Sequence, residues 1–165
     1  KCGIHSGSRV FEAGTGSGSA TASMAYMAMP NGHIYSYDKN DSFQSVAKKN
    51  VERLGLSQFV TFKLKDAKEG IDERDLTAAL LDLGDPWELV PNVRDCLEPS
   101  GMLAAVTPTT NQAERLVEEM KSRSFVMVET IEILMRNIEA RAGMTRPANI
   151  MVGHTVYVTF GRKAV

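Results

Sequence analysis

The stretch Val10-Phe11-Glu12-Ala13-Gly14-Thr15-Gly16-Ser17-Gly18-Ser19 decides how the rest of this sequence is interpreted. An apolar run ends in a carboxylate, three glycines follow at alternate positions, and an Ala- and Met-rich segment comes next. Glycine permits a tight turn from a strand into a helix, and the free N–H groups at the start of that helix lie open to a ligand. The pattern therefore predicts a strand, a glycine loop and a helix that together bind a nucleoside-containing cofactor.

Strand-like and helix-like segments alternate after this loop. Strands are predicted at 8–13, 33–38, 59–65, 77–83 and 102–107, with helices after the first, second, fourth and fifth of them and a turn at 99–101. The helix after Asp41 or Asn40 carries Phe43, Val46, Ala47, Val51 and Leu54 at three- and four-residue steps. Strand-like runs at 125–135 and 155–163 then follow without a helical period between them. We therefore expect an α/β fold with a mostly parallel sheet and an antiparallel edge hairpin.

The composition favours one domain over residues 1–165. The chain is 43% hydrophobic with a formal net charge of -1, which gives no general support for a nucleic-acid partner. No apolar run approaches the ~20 residues of a membrane span, and no signal peptide is recognisable, so we expect a cytoplasmic protein. The cysteines and histidines lack ligand spacing, so neither a disulfide framework nor a metal site is predicted.

The glycine spacing and its preceding acid bear on which cofactor binds. A dinucleotide fingerprint is G-x-G-x-x-G, whereas here the spacing is G-x-G-x-G and Ser19 holds the third-glycine place. Glu12 would lie awkwardly beside a pyrophosphate but suits a ligand with a cationic end. S-adenosylmethionine carries a sulfonium and an ammonium, and no phosphate. We therefore expect S-adenosylmethionine in preference to NAD.

Three further acids follow predicted strands. Asp38 lies 20 residues after Gly18, about where nucleotide folds place a ribose-binding carboxylate, although it could also cap a turn. Asp66 could instead form a surface ion pair with one of its neighbouring lysines, Lys63, Lys65 or Lys68. Asp82 interrupts an apolar run, where a carboxylate is costly unless it has a partner, and a functional role is favoured.

Three motifs carry a resemblance to a known family. They are Glu12-Ala13-Gly14-Thr15-Gly16-Ser17-Gly18-Ser19, Leu81-Asp82-Leu83-Gly84-Asp85-Pro86-Trp87, and Arg146-Pro147 with Gly153-His154-Thr155-x-Tyr157. Together they resemble tRNA adenine-N1 methyltransferases, class I S-adenosylmethionine-dependent enzymes that act on the T-loop adenine. The first motif is shared by many class I methyltransferases, and the other two are far more specific.

The resemblance implies a Rossmann-like, seven-stranded sheet with helices on both faces, usually assembled as a homotetramer. It also implies a small N-terminal β domain, which we expect to precede Lys1. The implied catalytic residue is Asp82, and Arg146 is the implied tRNA-binding residue. The family usually has Pro where Gly84 stands. The residues implied to bind S-adenosylmethionine are Glu12, Gly14, Thr15, Gly16, Ser17, Gly18, Ser19, Asp38, Asp66, Ala67 and Asp82.

Two alternatives stay open at this stage. The chain could be another class I methyltransferase that acts on a protein isoaspartyl group or a small molecule. It could also be a non-catalytic partner subunit that binds RNA. Arg136 and Arg141 could hold phosphates, or they could belong to a solvated charged loop.

Overall fold

The computed structural model describes residues 1–165, and its elements alternate much as the sequence predicts. The strands are β1 (Arg9–Ala13), β2 (His33–Asp38), β3 (Val60–Leu64), β4 (Leu76–Leu81), β5 (Leu97–Thr107), β6 (Phe125–Glu132), β7 (Ile138–Glu139), β8 (Arg146–Pro147) and β9 (Tyr157–Lys163). The helices are α1 (Ser19–Ala28), α2 (Asp41–Arg53), α3 (Val90–Cys96) and α4 (Thr110–Ser122). None of the helices has the length and hydropathy needed to cross a membrane.

Seven strands form one sheet in the order β3-β2-β1-β4-β5-β9-β6. Strands β1 to β5 pair in parallel, whereas β9 is antiparallel to both β5 and β6. The predicted mostly parallel sheet with an antiparallel edge is confirmed, and β4 lies at the centre of the sheet while β3 lies at one edge. Because parallel strands end at the same edge, β1, β2, β3 and β4 bring their following loops together.

Two hydrophobic cores lie on opposite faces of the sheet. Alternate β1 residues belong to different cores, since Val10 packs with α1 and α2 residues while Phe11 packs with α3 and α4 residues. A strand buried on both faces therefore needs apolar side chains at successive positions, which explains the continuous runs in β1 and β4. The prediction of helices on both faces is confirmed.

Three local predictions need correction. Strand β5 begins at Leu97, five residues before the predicted start, because the predicted turn is an irregularity within the β4–β5 pairing, with Ser100 at φ 67°. Strand β6 ends at Glu132, three residues before the predicted end, and the segment that follows it contains the β7–β8 hairpin. On α2 the buried residues are Gln44, Ala47 and Val51, so the apolar positions Phe43, Val46 and Leu54 are exposed.

Candidate active site

The glycine loop joins β1 to α1 at the centre of the sheet edge. Gly14 has φ +94°, and a Cβ atom on it would lie 1.9 Å from the backbone oxygen of Asp82. The Gly14 N–H donates to the Tyr37 carbonyl at 3.0 Å, and the Asp82 N–H donates to the Ala13 carbonyl at 2.9 Å. The loop is therefore held close to the ends of β2 and β4 at a spacing that only glycine allows.

A hydroxyl network lies beneath this loop and ends on a fully buried carboxylate. Glu12 Oε2 accepts hydrogen bonds from Ser36 Oγ and from Thr21 Oγ1, both at 2.5 Å, and Ser36 accepts from Thr15 Oγ1 at 2.7 Å. Its other oxygen, Oε1, is buried without a partner. Burial raises the pKa of Glu12 to about 7. Glu12 thus braces β1, β2 and α1 from behind the loop and lines none of the cleft described next.

A cleft of about 220 Å³ opens at the carboxyl edge of β1 to β4. Four of the residues predicted to bind a cofactor line this cleft: Gly14, Asp38, Asp66 and Ala67. Sequence reasoning missed further residues of the wall, most of which lie within three residues of a predicted acid. They are Ala13, Tyr37, Lys39, Lys65, Lys68, Leu83, Gly84, Asp85 and, more distantly, Leu89. Their adjacency to strand ends was the available signal.

The two predicted acids of the cleft, Asp38 and Asp66, differ in how many of their oxygens already accept a hydrogen bond. Asp38 accepts from the Asn40 N–H at 2.8 Å with one oxygen and from the Gly16 N–H at 3.3 Å with the other. Asp66 accepts only from the Lys68 N–H, at 2.9 Å, through Oδ1. The alternative of an ion pair on Asp66 is not seen, because the three neighbouring lysines pair with other acids, namely Asp72, Glu73 and Glu88.

The second half of the glycine loop points elsewhere. Thr15 is buried, and Ser17, Gly18 and Ser19 line a separate cavity of about 660 Å³ together with residues of α1 and α2. The Ser17 carbonyl accepts from the Asn50 amide at 2.9 Å. The structure therefore does not bring Ser17, Gly18 and Ser19 to the cleft that contains Asp38 and Asp66.

Asp82 follows the last residue of β4 and differs from its sequence-based description. The sequence predicts a carboxylate embedded in an apolar run, but β4 ends at Leu81 and the Asp82 side chain is exposed. Partial burial still raises its pKa, and the carboxylate has no hydrogen-bond partner within the chain. An unpartnered acid beside the cleft-lining residues Leu83 and Gly84 is free to receive a donor from a ligand.

The turn after Asp82 rests on a buried aromatic side chain. Trp87 is 7% exposed, and the Arg115 guanidinium lies 4.4 Å from its ring centroid. Arg115 belongs to α4, so a cation–π contact connects that helix to the turn. Pro86 therefore belongs to the turn, and Trp87 belongs to the core.

Arg146 lies in the β7–β8 hairpin, away from the residues that line the cleft. Its guanidinium pairs with Glu139 at 2.8 Å and donates to the Asn149 side chain at 2.5 Å. Both members of the ion pair are roughly half exposed. The predicted RNA contact by Arg146 stays a prediction.

Comparison with known proteins gives the family. The family model described as the tRNA methyltransferase complex GCD14 subunit matches residues 1–145. The chain belongs to this family. It is 33% identical to the tRNA (adenine(57)-N(1)/adenine(58)-N(1))-methyltransferase TrmI of Methanocaldococcus jannaschii, over 98% of this chain and 67% of that protein.

Two solved structures of similar sequence share the fold of this chain. A SAM-dependent O-methyltransferase from Thermotoga maritima superposes with a TM-score of 0.97 at 33% identity, covering 99% of this chain and 62% of that one. The tRNA (m1A58) methyltransferase TrmI from Aquifex aeolicus gives 0.90 at 30% identity, covering 98% and 64%. The Rossmann-like methyltransferase fold is confirmed, and this chain spans about two thirds of the length of these relatives.

Proposed function

We propose that residues 1–165 form the catalytic domain of an enzyme that transfers a methyl group from S-adenosylmethionine to N1 of a T-loop adenine in tRNA. The observation that carries the proposal is an unpartnered Asp82 carboxylate at the edge of a cleft lined by Gly14, Asp38 and Asp66. The relatives named tRNA (adenine-N1)-methyltransferases support the choice of acceptor.

The cleft offers hydrogen-bond acceptors to a nucleoside. Gly14 lets the ends of β1 and β4 lie against each other at the cleft wall, and Asp38 and Asp66 offer carboxylate oxygens to hydroxyl and amine donors. Asp38 would bind ribose hydroxyls, while Asp66 and Ala67 would hold the adenine. The buried Glu12 carboxylate would favour a cationic ligand above the loop through its field. When bound, S-adenosylmethionine would supply an electrophilic methyl group on its sulfonium.

Asp82 has the properties needed on the acceptor side. Adenine N1 carries an in-plane lone pair, so the transfer needs alignment of the base more than a strong general base. Asp82 would accept a hydrogen bond from the neighbouring exocyclic amine and so orient the base. As N1 forms its bond to the methyl group the base becomes cationic, and the carboxylate would stabilise that charge. No proton needs to leave N1.

The partners follow from the same assignment. We propose tRNA as the substrate, with Arg146 contributing a phosphate contact once the Glu139 pair opens or shares its donors. Homotetramer assembly is proposed from the family resemblance. The exposed apolar side chains of the β6–β9 connection, such as Ile133, Met135 and Ile150, are consistent with association.

In the experiment, purified protein is incubated with labelled S-adenosylmethionine and one of three acceptors. The acceptors are unmodified tRNA transcript, an isoaspartyl peptide, and a transcript in which the T-loop adenine is replaced. Label released as 1-methyladenosine from the first transcript alone is the expected result. Label in the peptide and none in tRNA would overturn the proposal, as would oxygen methylation of the kind named for the Thermotoga maritima relative.

Asp82→Ala tests the assigned chemistry. Turnover should fall by at least ~10²-fold, as expected for loss of a preorganised electrostatic contact, while the affinity for S-adenosylmethionine measured by calorimetry changes little. Asp95→Ala, which removes an exposed acid on α3, is the matched control and should retain full turnover. Full activity of the Asp82→Ala variant would refute the catalytic role.

A further inference from the structure

The imidazole of His154 lies between two oxygen acceptors. Its Nδ1 is 2.6 Å from a carboxylate oxygen of Glu132 at the end of β6, and its Nε2 is 2.8 Å from the Pro108 carbonyl after β5. The ring also packs on Tyr157 of β9, with ring centroids 4.6 Å apart. One side chain thus joins three strands of the antiparallel edge.

These contacts determine how many protons His154 and Glu132 must carry together. A neutral imidazole has one N–H, and its other nitrogen is an acceptor. A carbonyl oxygen and a carboxylate are both acceptors, so a neutral ring beside an ionised Glu132 would leave one lone pair facing another. The arrangement therefore requires an additional proton, held between His154 and Glu132.

The position of this contact relates it to the acceptor side of the site. Pro108 follows Thr107, the residue of β5 that pairs with Tyr157 of β9. Strand β5 also pairs in parallel with β4, which leads directly into Asp82. His154 therefore attaches the end of the 133–156 connection to the carboxyl edge of the sheet, one strand away from the strand that leads into Asp82. That connection carries Arg146.

We propose that protonated His154 is a positioning residue that holds the 133–156 connection beside the acceptor side of the site, and that tRNA binding weakens when the proton leaves. This inference rests on the proposed function. It gives a role to the Gly153-His154-Thr155 motif, whose residues do not line the cleft.

The surroundings of His154 support a proton-dependent contact. Glu132 is the titratable group that faces the ring from β6, Tyr157 presents its ring from β9, and the β5–α4 connection presents only the Pro108 carbonyl. Hydrogen bonds to Glu132 and Pro108 raise the pKa of His154. Since the folded pKa is raised above the ordinary value of about 6.5, the contact is complete below that pH. It is lost as pH rises through the higher value.

The Glu132→Gln substitution keeps a hydrogen bond to His154 but removes the need for the additional proton. The glutamine amide can donate to Nδ1 while Nε2–H donates to Pro108, so a neutral imidazole satisfies both partners. NMR titration of the His154 ring should give a pKa above 6.5 in the wild-type protein and a lower pKa in Glu132→Gln. A wild-type pKa at or below 6.5, or no difference between the two proteins, would overturn the inference.

Kinetics then test the positioning role. From pH 6 to 9 the KM for tRNA should rise by about tenfold in the wild-type enzyme, the scale of one charge-assisted hydrogen bond, and stay flat in Glu132→Gln. His154→Ala should show the raised KM at every pH, with kcat and the Kd for S-adenosylmethionine within about twofold of wild type. Equal pH profiles for wild type and Glu132→Gln would refute the role.

The two measurements separate this inference from the proposed function. Absence of tRNA methylation by the wild-type enzyme at all pH values would overturn the proposed function and, with it, the RNA part of the inference. The NMR titration needs no substrate, so it tests the protonated His154–Glu132 contact independently.

Discussion

Gly14→Ala is the substitution that tests the geometry of the loop most directly. The added Cβ would lie 1.9 Å from the Asp82 carbonyl oxygen, whereas real Cβ atoms essentially never approach closer than 3.0 Å. The two backbones must therefore separate by more than 1 Å. That movement disrupts the 2.9 Å hydrogen bond from the Asp82 N–H to the Ala13 carbonyl, which lies at the same junction.

Two terms give the magnitude of the effect. A left-handed φ such as the +94° of Gly14 costs an alanine about 1–2 kcal/mol. Loss of the Asp82–Ala13 hydrogen bond removes about 1 kcal/mol more. We expect the free energy of unfolding to fall by roughly 2–3 kcal/mol, which lowers Tm by about 5–10 °C in a chain of this size. The affinity for S-adenosylmethionine should fall by at least about tenfold, because the cleft wall and Asp82 move together.

Urea unfolding, thermal unfolding and calorimetry with S-adenosylmethionine measure these three quantities. Gly84→Ala is the matched control, since its φ is outside the left-handed region and its Cβ would meet nothing within 4 Å. Its stability should stay within about 0.5 kcal/mol of wild type. A Gly14→Ala protein as stable as Gly84→Ala, with unchanged cofactor affinity, would refute the steric reasoning.

Two further predictions concern a buried acid and the core. Because burial raises the pKa of Glu12 from 4.5 to about 7, stability should fall as pH rises between these values, by on the order of 3 kcal/mol, and level off above pH 7. Urea unfolding at several pH values should show a weaker dependence of the free energy of unfolding on pH in Glu12→Gln. An unchanged dependence would show that another group causes it. Leu116→Ala, at a fully buried α4 position, should cost about 3 kcal/mol, whereas Leu54→Ala, at a 63% exposed position, should cost less than about 0.5 kcal/mol. Equal losses of stability in the two variants would contradict the assignment of Leu116 to the core and Leu54 to the surface.

The extent to which sequence could predict the site is clearest for its acids. Asp38 and Asp66 follow parallel strands, so their convergence at one cleft was predictable from strand ends alone. The ion-pair partners of the lysines around Asp66 were not predictable. Lys63 and Lys65 pair with Asp72, which belongs to a loop whose path is not determined by the local sequence pattern. Asp82 was predicted from its position near a strand end, but its exposure depends on β4 ending at Leu81, two residues before the predicted end.

The glycine loop shows the same division. Its turn from β1 into α1 is dictated locally, since alternating glycines permit backbone angles that other residues resist. Which of its atoms face the cleft depends on β2 and β4, whose backbones contact Gly14, and on α2, whose Asn50 holds Ser17 over a different cavity.

By itself, the sequence determined the alternation of strands and helices, the glycine turn after β1 and the acids at strand ends, because periodicity and backbone sterics act over a few residues. Only the tertiary structure decided that Glu12 braces the loop from behind and that Phe43 and Val46 are exposed. It alone placed His154 between Glu132 and Pro108. Such contacts join residues distant along the chain, and their partners are chosen by how the strands and helices pack.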